Sequence, residues 1–100
     1  MSDSAPARFV QALTALPVGT TSGTFAGQRY VVSKTLHAAG KSVKLVAEET
    51  GGQDYISLNL YRLTSGARLY PCEMSRGKVI RFVEGFAPDG AAGVAGIAGD

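Results

Sequence analysis

Between Arg29 and Tyr61 the chain alternates apolar and polar side chains with a period of two, and it does so in three runs separated by turn-forming residues. Successive side chains of a strand point to opposite faces, so this period predicts three strands, each with one apolar side. The turns then set the register. Ala38-Ala39-Gly40-Lys41 as a hairpin loop puts His37 opposite Ser42, so Leu36 faces Val43, Lys34 faces Leu45 and Val32 faces Ala47. Gly51-Gly52 is a favoured pair for the mirror-image turns of tight hairpins. It puts Ala47 opposite Ile56, Leu45 opposite Leu58 and Val43 opposite Leu60. The same three residues of the middle strand therefore meet apolar partners on both sides, save that Leu45 has Lys34 on one of them. A slip by one residue would set them against polar groups, so two turns chosen independently agree on one core face.

A fourth strand follows from the alternation of Ala67-Arg68-Leu69-Tyr70 after a turn at Thr64-Ser65-Gly66-Ala67. With Ser65-Gly66 as the turn, Leu69 lies beside Arg62 and Tyr70 beside Tyr61. Pro71 has no amide to donate, so the strand is expected at an edge or to end there. Thr20 to Gly27 is rich in turn formers and reads as loop, with at most a short edge strand around Phe25.

Helical spacing flanks the strands. Ser4 and Pro6 form a start signal, Phe9, Leu13 and Leu16 recur on one face, and Pro17 and Gly19 end the run. Near the C-terminus Ser75 is a suitable cap, and Met74 before it pairs with Val79 as a hydrophobic staple. Val79, Phe82, Val83 and Phe86 then form an apolar stripe, and Gly85 can close the helix. The expected fold is α+β, an antiparallel meander of three to four strands with N- and C-terminal helices packed on one face. Residues 5–86 form the single domain. Residues 1–4 are expected to be disordered, as is the Ala/Gly-rich tail 87–100, whose periodic glycines have too little proline for a triple helix.

Composition bounds what such a domain can do. At 100 residues, 45% hydrophobic and 18% charged, the chain fills one core but not two lobes closing on a substrate. A net charge of +2 and a pI near 8.9 fall just short of the basic stripe of a dedicated polyanion binder. One cysteine and one histidine exclude an internal disulfide and the usual Cys/His metal sites, so no metal or cofactor is expected. That inventory suits a reducing cytoplasm. The apolar stretch from Phe9 to Leu16 is interrupted by Gln11 and Thr14, unlike a secretory signal, and no run approaches the roughly 18 residues of a membrane span.

Four features bear on chemistry. Gly40-Lys41-Ser42 has the ending of a phosphate-binding loop, but Thr35 stands where its first glycine belongs and a strand follows instead of a helix. It reads as a hairpin turn. Glu48 and Glu49 are strand neighbours that point to opposite faces, so they make no acid/base pair. Cys72 lies where the last strand hands over to the helix, where amide dipoles favour a thiolate, with Arg76 and Lys78 near and Glu73 opposing.

The fourth feature is the polar face of the sheet. The pairing puts His37, Ser42, Tyr61 and Tyr70 in one row and Thr35, Lys44, Asn59 and Cys72 in the next, bordered by Tyr55, Ser57 and Arg68. Rings, an amide and cations on an open sheet suit a binding surface, and Arg76, Lys78 and Arg81 are expected to add a basic edge. The plainer reading is that tyrosine and threonine favour strands and lysine keeps an exposed face soluble. The expected function is a non-catalytic binding module using the face of His37, Ser42, Lys44, Asn59, Tyr61, Arg68 and Tyr70. A protein partner or self-association ranks ahead of RNA or single-stranded DNA. The alternatives are a thiol enzyme of reductase or transferase type centred on Cys72, and a self-associating structural domain.

Overall fold

The computed structural model describes residues 4–89. The order is α1 (Ala7–Ala15), β1 (Gly19–Phe25), β2 (Gln28–His37), β3 (Ser42–Glu49), β4 (Tyr55–Leu63), β5 (Gly66–Pro71), α2 (Arg76–Gly85) and β6 (Ala87–Pro88). The strands form one antiparallel sheet in the order β5-β4-β3-β2-β1-β6. The fold is α+β, but with six strands in place of the expected three or four.

The central register is the one the alternation predicts. Leu45 pairs with Lys34 and Leu58, Val43 with Leu36 and Leu60, and Ala47 with Val32 and Ile56. Val43, Leu45, Ala47, Leu58 and Leu60 are fully buried. Leu36, at the end of β2, is 46% exposed even though it faces Val43.

Two strands go beyond the expectation, which allowed only a short edge strand around Phe25. β1 forms where the sequence reads as loop, because Ser22 and Gly23 resemble turn formers although Thr20, Thr21, Thr24 and Phe25 suit a strand. Ala26 and Gly27, at φ 51° and 80°, make the two-residue turn that pairs Phe25 with Gln28. β6 then pairs with β1 through Gly23↔Pro88 and Thr24↔Ala87. A Cβ on Gly23 would come within 2.6 Å of the Phe86 ring and 2.8 Å of the Pro88 Cα, so this close approach requires glycine. Strand pairing thus reaches Pro88, and the amide of Asp89 donates to the Ser22 carbonyl at 2.8 Å. The rest of the expected tail, 90–100, lies outside the described residues.

β5 is shifted by two residues from the expected pairing. The turn falls at Thr64-Ser65, so Leu63 pairs with Gly66, Leu60 with Leu69 and Tyr61 with Arg68. This register sets fully buried Leu60 against Leu69, which is 1% exposed, where the expected one set Leu69 against Arg62. A shift of two keeps every side chain on its face.

Both helices bury their stripes in one cluster with the apolar side of the sheet, and they also contact each other, with α2 over β4 and β5. Phe9 and Leu13 come from α1, and Val79, Phe82 and Val83 from α2. Ser75 caps α2 as predicted, its hydroxyl accepting from the Lys78 amide at 3.1 Å, and Met74 packs against the core. Ser4 does not cap α1. It pairs with Arg68 beside β5, and the Ala5 amide donates to the Ala67 carbonyl at 3.0 Å. Residues 1–3 lie outside the described chain. Among the described residues, no helix is long and apolar enough to cross a membrane.

One core position breaks the apolar pattern. Lys34 is 4% exposed, and its Nζ donates to the carbonyls of Leu13 (2.8 Å), Leu16 (2.7 Å) and Thr14 (3.3 Å). These groups belong to the C-terminal end of α1, where the last carbonyls have no helical partner and the helix dipole favours a cation. Burial, with the charge of Arg62 nearby, lowers its pKa from the ordinary 10.5.

Candidate functional site

The sheet has a second face, opposite the helices. On β3 it carries Ser42, Lys44, Val46 and Glu48, because the odd-numbered side chains of that strand point into the core. The corrected register aligns its rows. One row runs His37, Ser42, Tyr61 and Arg68, and the next runs Thr35, Lys44, Asn59 and Tyr70. Tyr70 therefore sits beside Asn59 instead of beside Tyr61. Cys72 leaves this row for the next, where its amide donates to the Ser57 carbonyl at 3.0 Å.

The tyrosines still meet diagonally. Their ring centroids are 5.5 Å apart at 65°, an edge-to-face pair, and Tyr61 and Tyr70 are 38% and 43% exposed. Lys44 is exposed, Arg68 is half-buried and donates to the Ser4 hydroxyl at 3.1 Å, and His37 Nε2 lies 3.2 Å from the Thr35 hydroxyl. His37, Ser42, Lys44, Asn59, Tyr61, Arg68 and Tyr70 thus share one contiguous block of four strands.

Of the basic edge, Arg76 meets Arg68 through Ser4 at the border of the sheet. Arg76, Lys78 and Arg81 lie on α2, which packs on the opposite face of the sheet. Lys78 Nζ is taken up by Asp54 Oδ1 at 2.7 Å, and Arg76 donates to the backbone carbonyl of Ser4. Arg81 is exposed and arches over Gly77.

Cys72 is half-buried, with the Asn59 amide 3.7 Å from its Sγ. It follows the end of β5 and lies four residues before α2. His37 is at the end of β2, with β3 and β4 between it and β5, so the two do not form a nucleophile–base pair. Among the described residues, no three His, Cys, Asp or Glu side chains group as metal ligands.

A feature absent from the sequence reading lies at the far end of the strands. The Tyr30 hydroxyl donates to Asp54 Oδ2 at 2.8 Å, alongside the Lys78 ion pair. Hydrogen bonds from Lys78 and Tyr30 hold the Asp54 carboxyl below its ordinary range, while burial and the bond to Asp54 push Tyr30 up to about 12. An open depression of about 310 Å³ between Glu48, Glu49, Gly52, Gln53, Asp54 and Tyr55 adjoins this network. Only the position of Tyr30 on the apolar side of β2 hinted at it, since Asp54 reads as a turn residue.

Charge is segregated along the strands. Residues 34–47 and 55–72 contain Lys34, Lys41, Lys44, Arg62 and Arg68 but no aspartate or glutamate. Glu48 and Glu49 end β3 and Asp54 precedes β4, so all three lie at the other end of the strands. Neither ion pair among the described residues, Arg29–Asp89 and Lys78–Asp54, involves those five cations. No known family model matches the chain, and no curated protein or solved structure shows significant similarity to it.

Proposed function

We propose that the chain is a small non-catalytic binding module that engages a protein partner through the open face of its sheet. One observation carries this reading. The face opposite the helices is covered by no described element, yet two tyrosines project from it beside Lys44, Asn59 and Arg68. Tyrosine supplies large contact area at small conformational cost, and the neighbouring hydroxyls and amide supply hydrogen bonds, the composition that interfaces favour. RNA or single-stranded DNA ranks below a protein. A reducing, cytoplasmic setting suits a chain with one unpaired cysteine.

The thiol-enzyme alternative gains no support from the geometry, because His37 lies two intervening strands away from Cys72, whose Sγ meets the Asn59 amide. An amide-shift titration separates the readings. With a mixed peptide pool, shifts should cluster on His37, Ser42, Lys44, Asn59, Tyr61 and Tyr70, and Cys72→Ser should leave them unchanged. Shifts confined to residues 71–78 on adding small electrophiles would instead favour the thiol. Rising apparent mass with concentration, without added peptide, would favour self-association.

A further inference from the structure

Resting on that reading of the face, we infer that its partner is an extended, acidic segment of another protein, with two carboxylates three or four residues apart. Of the five cations in the carboxylate-free stretches, Lys34 and Arg62 are engaged at the end of α1, Arg62 Nη2 donating to the Thr14 hydroxyl at 3.1 Å. Lys44 and Arg68 are on the open face, and neither has a carboxylate partner among the described residues. A face presenting cations without counter-charges attracts an anionic partner and rejects a basic one.

Geometry then selects the kind of anion. Lys44 on β3 and Arg68 on β5 are two strands and one row apart. Strand spacing and rise put their Cα atoms about 12 Å from each other. An extended chain covers that distance in three to four residues at about 3.3 Å each. Tyr61, Tyr70, Asn59 and Ser42 lie between or beside the two cations, where they can take the intervening peptide groups and one apolar side chain.

The same block is poorly made for a nucleic-acid strand. Its rings lean edge-to-face on each other, so they do not form two parallel platforms for successive bases. Two cations neutralise few phosphates, and along β3 the face turns acidic at Glu48.

The test is selection of peptides of about 12 residues from a displayed random library on the intact chain. Affinities of the enriched peptides follow by fluorescence anisotropy. Enriched sequences should share two acidic residues three or four positions apart. Lys44→Glu and Arg68→Glu should each weaken binding by about tenfold or more, and replacing the peptide's acids with lysines should restore binding to the double variant. Lys44→Ala, at an exposed position, should weaken binding without the charge reversal and guards against misfolding as the cause. Raising salt from about 0.05 to 0.5 M should also weaken it.

Enrichment of sequences without paired acids, no enrichment at all, or indifference to Lys44→Glu would overturn the inference. So would tighter binding of a uridine or thymidine 20-mer than of any selected peptide. If peptides without acids still shift Tyr61 and Asn59, the binding face stands and only the partner chemistry falls. Shifts elsewhere would remove both.

Discussion

Lys34 shows how a residue that breaks a pattern can complete a structure. The alternation put it opposite Leu45 on the core side, where a lysine is costly unless its charge is satisfied. The end of α1 supplies three carbonyl acceptors, of which only that of Leu13 also accepts a capping bond, from the Leu16 amide, and without them the ammonium would be buried unpaired. Lys34→Met, which keeps the length and removes the donor, should therefore destabilise the fold by about 2 kcal/mol, read as a lower urea midpoint with unchanged slope.

Asp54 and Tyr30 give the stability a pH signature. Asp54 is depressed below its ordinary 3.8, so its contribution is complete above that value and is lost as pH falls through the depressed one. Asp54→Asn should flatten the acid limb of a stability–pH curve. Tyr30 is raised from 10.0 to about 12, so its contribution is complete below pH 10 and disappears as pH climbs toward 12. Tyr30→Phe should remove that alkaline loss, measured by denaturant unfolding across the same range.

At the scale of elements, legibility followed how strongly each turn was signalled. The β2–β3–β4 register was readable because two turns and three buried partners had to agree on it. β5 was placed on the right faces but two residues out of register, because Thr64-Ser65-Gly66 offers two overlapping turns and only the pairing of Leu60 with Leu69 separates them. β1 and β6 stayed hidden, since an Ala-Gly turn is a weak hairpin signal and Gly23 reads as a break until the strand crossing it is known. Ala26 takes a left-handed conformation that asparagine tolerates better, so Ala26→Asn should stabilise the hairpin by about 0.5 kcal/mol, visible as a higher Tm. Gly23→Ala should force β6 off β1 and cost about 2 kcal/mol or more. Loss of amide protection at Pro88's neighbours Ala87 and Asp89 would report the detachment.

The whole molecule divides its labour between two faces of one sheet. One face and both helices bury the apolar residues, and the sequence revealed most of that core by periodicity alone. The other face was legible as a set of polar and aromatic residues, and all seven expected site residues do share it. What the sequence could not reveal was which residues are neighbours there, since that depended on the β5 register, and that α2 carries Arg76, Lys78 and Arg81 to the opposite side. A binding role for that face requires it to be open in solution. The most direct measurement is the relaxation of side-chain protons by a soluble gadolinium chelate. Ring protons of Tyr61 and Tyr70 and methylene protons of Lys44 should relax strongly, as those of exposed turns do, while Phe82 and Leu45 stay shielded. Shielding of both tyrosines to the level of Phe82 would contradict the account, because the face would then be covered within the protein's own assembly.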